Sequence, residues 1–299
     1  MYKRLALPLA VLLLTGCGAS DPYAEEGGGS GGDSGGAVVI GSADFPESTL
    51  LAEIYGRAME AEGVEVDYQL SIGSREVYYS QIESGNLSVF PEYNGAILAH
   101  LDEDAPTGSS EETNQRVTEA LPEGLEILDS SSAENKDSVT VTSEVAEEHD
   151  LASLEDLAGA AGELTLGGPP EFETRQQGVV GLADVYGVEF GEFRSLEVAL
   201  LTQALLDGDI QAANLFTTDP QIAANDFVVL EDPENLFGAQ NITPLVNGEQ
   251  VDETARAALN AVSAALTTDT LTQLNERVVI GNENAADVAQ EWLEQEGLA

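Results

Sequence analysis

The sequence predicts an α/β protein of two lobes with a cleft between them. Two runs of alternating strand and helix signals follow one another along the chain, each long enough to build its own sheet. Three predicted strand ends also close on aromatic, glycine-rich or hydroxyl-bearing segments: Phe90-Pro91-Glu92-Tyr93-Asn94-Gly95, Gly167-Gly168-Pro169-Pro170-Glu171-Phe172 and Asn214-Leu215-Phe216-Thr217-Thr218-Asp219. Strand carboxyl ends are where open α/β sheets hold ligands, so these segments point to one shared site. A chain of 299 residues with 42% hydrophobic content has room for both cores.

The chain opens with Lys3 and Arg4, then an apolar stretch over residues 5–14 that is too short to span a bilayer comfortably. This matches a secretory leader covering residues 1–16. It ends in Leu14-Thr15-Gly16-Cys17, similar to the lipobox of bacterial lipoproteins, which implies lipidation at Cys17, the single cysteine. Residues 17–36 are rich in Gly, Ser and acid and read as a flexible tether. Nineteen such residues, 18–36, span about 24 Å root-mean-square.

The folded region begins at residue 37. Residues 37–40 form a short strand, followed by a turn at Gly41-Ser42. Leu50, Leu51, Ile54, Tyr55 and Ala58 recur at helical spacing up to Gly63. Residues 64–70 alternate as a strand, 77–84 form a helix, 87–90 a buried strand, and a further helix starts at Asn94. The second run has strands at 138–142, 164–166, 210–216 and 227–230, with helices at 154–157, after Glu171, and at 196–206. A strand at 241–246 leads back, and helices at 253–266, 271–279 and 288–293 finish the chain.

Charge excludes several classes of function. Ten Lys+Arg against 55 Asp+Glu give a net charge of -45, so the clustered cations that nucleic acid or an anionic membrane surface would need are missing. So acidic and lysine-poor a composition suits a surface working in strong salt, where self-repulsion is screened. His100 and His149 lack partners at metal-ligand spacing, and Asp102-Glu103-Asp104 reads as a solvated run. No nucleophile elbow, phosphate loop or dinucleotide fingerprint occurs, and neither an enzyme nor a cofactor is expected.

Six segments together resemble a known family: IGSADFPESTLLAEIYGRAMEAEG at 40–63, SGNLSVFPEYNG at 84–95, LGGPPEFETRQQGVVGL at 166–182, ALLDGDIQAANLFTTDPQI at 204–222, FVVLEDPENLF at 227–237 and NITPLV at 241–246. The family is that of the osmoprotectant-binding lipoproteins of ABC importers, receptors for glycine betaine, choline, carnitine and related quaternary amines. The resemblance implies a type II solute-binding-protein fold with two crossover strands. One lobe would comprise residues 37–136 plus 242–299 and the other 137–241. It further implies hinge closure on ligand, delivery to a membrane permease, a monomeric receptor and a lipid anchor on the extracytoplasmic face of the cell membrane.

The same resemblance implies site residues. The family holds a trimethylammonium group in a box of tyrosines, whose ring faces attract a cation that cannot donate hydrogen bonds. Tyr93 matches the first box tyrosine and Phe216 the second, while Asp137 and Gln240 fall where two others are usual. Arg175 matches an arginine that grips a betaine carboxylate. Ala43 aligns with a common lysine and Ala96 with a threonine, and the neighbouring Ser42 and Thr217 complete the expected ligand-binding set. Asp137 together with Arg175 suits a zwitterion. The smaller polar groups in place of tyrosines point to a ligand larger than glycine betaine, such as carnitine or ergothioneine. Tyr78 or Tyr79 could replace a lost wall, although packing beneath their helix accounts for either, and Trp292 is expected in the core. Two alternatives stand beside the receptor: an enzyme or sensor on the same fold, and an inert surface lipoprotein.

Overall fold

A computed structural model describes residues 36–103 and 105–299. The expected leader, the tether up to Gly35, Cys17 and Asp104 lie outside the described residues.

In chain order the first run is β1 (Val38–Gly41), α1 (Pro46–Ala61), β2 (Val66–Gln69), α2 (Arg75–Glu83), β3 (Val89–Tyr93), α3 (Asn94–Leu101), α4 (Ser110–Ala120) and β4 (Leu125–Ile127). The second run is β5 (Asp137–Val141), α5 (Ser143–Glu148), β6 (Thr165–Gly168), α6 (Val179–Tyr186), β7 (Glu192–Ser195), α7 (Val198–Leu206), β8 (Ala212–Phe216), α8 (Pro220–Ala224) and β9 (Val228–Val229). The chain then returns through β10 (Ile242–Asn247) and ends in α9 (Glu253–Ala265), α10 (Thr268–Val279) and α11 (Ala285–Glu296).

The strands form two mixed sheets, ordered β2-β1-β3-β10-β4 and β7-β6-β8-β5-β9. In each, three strands run parallel and an antiparallel strand lies beside the third: β10 along β3, and β5 along β8. Alternation along the strands feeds cores on both faces. Val38 and Ile40 pack under α1, α9, α10 and α11, while Val39 joins the cluster beneath α2 and α3. In the second sheet Ala212 faces one cluster, and Ala213 with Leu215 faces the cluster under α7.

Two extended segments connect the sheets, and they pair with each other. Ser131 N donates to Ile242 O (2.8 Å), Ile242 N to Ala133 O (3.0 Å) and Asn135 N to Gln240 O (3.0 Å). The chain therefore passes between the sheets through an antiparallel two-segment strap. Gly95 is required beside it, because a Cβ there would stand 2.1 Å from the Ala239 carbonyl oxygen.

Most expected elements form within a few residues of their predicted bounds. The predicted helix at 154–157 instead contributes a 3₁₀ turn at Asp156–Gly159, and α5 forms earlier, where Thr142 caps it by accepting from Val145 N. Pro169 and Pro170 confine the chain after β6 to a 3₁₀ turn, Pro170–Glu173, before α6 starts at Val179. Among the described residues α4, α5, α8, β4 and β7 were not predicted, because each is short or holds few apolar residues.

Candidate functional site

The carboxyl ends of β1, β3, β6 and β8 converge on a cavity of about 310 Å³ between the two sheets. That is the small end of the roughly 300–1,000 Å³ typical of ligand clefts. Ala43, Tyr93, Ala96, Asp137, Arg175, Phe216 and Gln240 all line it. Ser42 and Thr217 fall outside the lining, a correction to the expected set. Ser42 is buried with its Oγ accepting from Ser71 N (2.8 Å), and Thr217 Oγ1 accepts from Lys136 N (2.9 Å). Both hydroxyls are thus engaged with backbone groups.

Phe45 was missed by sequence reasoning. It precedes Pro46 at the start of α1, and its ring centroid lies 5.2 Å from Phe216 and 6.3 Å from Tyr93. Phe45, Tyr93 and Phe216 thus bring three rings, from both sheets' strand ends, to one cavity. An aromatic at the turn after β1, held by a following proline, was the available signal. Tyr78 also lines the cavity, stacked on Phe90 with centroids 3.6 Å apart. Tyr79 instead packs edge-on against His100, and Trp292 lies in the core under α1.

Two arginines border the cavity, and glutamates hold both. Arg75 is buried and donates from Nε and Nη2 to the two oxygens of Glu92, each at 2.9 Å. Glu92 also accepts from Tyr78 Oη (2.7 Å) and Tyr93 N (3.0 Å). Burial alone would raise the Glu92 pKa, but the Arg75 charge and these hydrogen bonds outweigh it and leave it lowered. Arg175 behaves differently from the expected free carboxylate grip. Its Nε and Nη2 donate to Glu76 on α2 at 3.0–3.1 Å, so the pair spans the cleft from one sheet's lobe to the other.

Asp137 opens β5 directly across from Phe216 and accepts from Asn214 Nδ2 (2.9 Å). Burial raises its pKa, against the opposing effects of the Asn214 bond and the charges of Arg175 and Arg75. Gln240 touches the cavity, but its amide is committed: Oε1 accepts from Ala96 N (3.0 Å), and Nε2 donates to Phe237 O (3.0 Å) and Gln177 Oε1 (3.2 Å). It braces the strap.

Glu47 was also missed. Buried at the first turn of α1, it accepts from Tyr93 Oη (2.7 Å), Asn135 Nδ2 (2.6 Å), Thr218 Oγ1 (2.5 Å) and Asn275 Nδ2 (2.5 Å). The Tyr93 ring is thereby fixed in orientation by a carboxylate that also reaches the opposite lobe. Burial, then the Glu47 charge, push the Tyr93 phenol well above its ordinary pKa, so it stays a neutral donor.

Two α/β lobes joined by a paired strap, with an aromatic-lined cavity at the facing strand ends, define a type II periplasmic solute-binding protein. The chain belongs to the OpuAC family, the substrate-binding domain of the ABC-type glycine betaine transport system, which it matches over residues 36–295. It is a transporter-linked binding protein and not an enzyme. The glycine betaine-binding protein YehZ of Escherichia coli K12 is 28% identical, over 87% of this chain and 90% of that one. An ergothioneine transport permease/binding protein, EgtU of Helicobacter pylori G27, is 21% identical over 87% of this chain and 48% of its own length. A crystal structure described as a glycine betaine/carnitine/choline ABC transporter shares the fold, with a TM-score of 0.70, 22% identity, and coverage of 87% of this chain and 99% of the other.

Proposed function

We propose that this protein is the extracytoplasmic receptor of an ABC importer, lipid-anchored at Cys17, which captures a quaternary-amine solute between its lobes and delivers it to the permease. Residues 1–16 would be the leader, 17–36 the lipidated tether, 37–136 plus 242–299 one lobe and 137–241 the other. The division of strands between the two sheets supports those lobe bounds.

One observation carries the reading: the rings of Phe45, Tyr93 and Phe216 share a cavity with the carboxylate of Asp137. Ring quadrupoles and a carboxylate attract a cation, and apolar ring faces suit methyl groups that donate no hydrogen bond. A larger solute such as ergothioneine is a second reading. It is favoured by a recess of about 340 Å³ that shares Arg75, Ala96, Asp137 and Arg175 with the main cavity. The acidic surface suits osmolyte uptake in strong salt.

Calorimetric titration in roughly molar NaCl with choline, glycine betaine, carnitine, ergothioneine and proline tests both readings. Saturable binding of a quaternary amine that weakens in Phe45→Ala is expected. Absence of heat from every quaternary amine would sink the proposal.

A further inference from the structure

The two arginines on the cavity wall do not offer a free cation to a ligand. Arg75 is saturated on its Nε–Nη2 edge by Glu92, and Arg175 on the same edge by Glu76. Asp44, Asp137, Glu171 and Glu197 line the same cavity with no further arginine or lysine among its lining residues. A ligand carboxylate arriving at Arg175 would therefore meet an occupied guanidinium in an acidic setting, where like charges repel. A carboxylate-free cation would meet an attractive field.

We propose that Glu76 is a built-in stand-in for a ligand carboxylate: by holding Arg175 from the opposite lobe it closes the cleft without one, and so directs the site to carboxylate-free quaternary-ammonium cations. The choice of ligand rests on the quaternary-amine reading above; the latch does not. Geometry supports the latch, because Glu76 begins α2 in one lobe and Arg175 follows β6 in the other, 99 residues apart in sequence. The Glu76 carboxyl is ready for this role at any ordinary pH. Burial pushes its pKa up, but the Ser74 hydroxyl and the Arg175 charge outweigh that and hold it at about 2. The pair is also adjustable, since both side chains reach solvent and salt screens them.

Choline and glycine betaine are the informative pair, sharing a trimethylammonium head and differing in hydroxymethyl against carboxylate. The full-length protein should bind choline more tightly than glycine betaine. Glu76→Gln, which keeps shape and removes charge, should raise glycine betaine affinity about tenfold, as expected for freeing one charge-assisted fork, and should not strengthen choline binding, since choline brings no carboxylate to replace the lost latch. A second readout needs no ligand. Hydrogen–deuterium exchange of the unliganded variant should quicken on both cleft walls, at residues 71–77 and 169–176, and Glu76→Arg with Arg175→Glu should restore wild-type protection. An unchanged choline-to-betaine ratio in Glu76→Gln, or a wild-type preference for glycine betaine, overturns the selectivity. Exchange that changes only at 71–77, or not at all, overturns the latch. If neither solute binds either protein, the quaternary-amine reading falls and with it the selectivity, while exchange still decides the latch.

Discussion

The two arginine–glutamate pairs on the cavity wall have the same chemistry and different surroundings. Arg75 and Glu92 sit within one lobe, on α2 and β3, at 8% and 0% exposure. Arg175 and Glu76 cross between lobes, with side chains 30% and 47% exposed. A buried pair must remain intact, because losing one partner strands a charge away from water. A half-exposed pair can open at little cost, since water replaces what the partner supplied. The first pair therefore shapes the wall, and the second can respond to ligand and salt.

The sharpest way to break this comparison is Glu92→Ala. It leaves Arg75 buried without its carboxylate and should cost about 3–5 kcal/mol in urea unfolding, with the midpoint falling and the slope unchanged. A loss below about 1 kcal/mol would place both pairs in one class.

Next in size is Phe45→Ala, which removes the ring joining the Tyr93 and Phe216 walls. Affinity for a quaternary amine should fall about tenfold, a typical loss for one cation–π face, as read by calorimetry. The same loss with an uncharged isostere of the ligand would remove the cation argument.

Asp137 gives a pH signature with a definite sign. Its folded-state pKa is raised, so the folded protein takes up its proton before the unfolded chain does. Its ionised form therefore opposes folding at neutral pH, and this penalty disappears as pH falls through the raised value. Asp137→Asn should accordingly stabilise the ligand-free protein near pH 7 while weakening cation binding about tenfold. In the wild type, binding should weaken as pH drops through the same window, and in Asp137→Asn that dependence should vanish. Thermal melts and titrations over pH 4–7 check both signs.

The smallest effect is Glu76→Gln on stability, expected at about 0–1 kcal/mol and shrinking further in molar salt. The Glu76 pKa is lowered in the fold, so whatever it contributes is present above about pH 4.5 and lost as pH falls toward about 2. A larger loss, comparable with that of Glu92→Ala, would show that the cross-lobe pair is structural after all.

Much of the site was legible where neighbours along the chain build it. Tyr93, Phe216 and the segment after β6 stand at strand ends, and a strand's apolar run followed by turn residues marks such ends directly. Phe45 carried a weaker signal, a ring between strand and proline. Glu92 was readable in principle as an acid inside the buried run Val89-Phe90-Pro91-Glu92-Tyr93. Glu47 was not. Its partners Tyr93, Asn135, Thr218 and Asn275 lie 46 to 228 residues away, and among 55 acidic residues nothing local distinguishes it. Arg175 shows the same limit from the other side, because its position was clear but its partner was not.

The sequence by itself determined the α/β class, the order of the main elements and the strand ends that meet at the cavity, because periodicity and turn chemistry act over a few residues; the family came from the resemblance of whole segments. Only the tertiary structure decided which charges are already spent. Whether Arg175 is free for a ligand or held by Glu76, and whether Asp137 or Glu92 is the acid left facing the cavity, depends on side chains brought within about 3 Å across different elements, the range over which charge-assisted hydrogen bonds form.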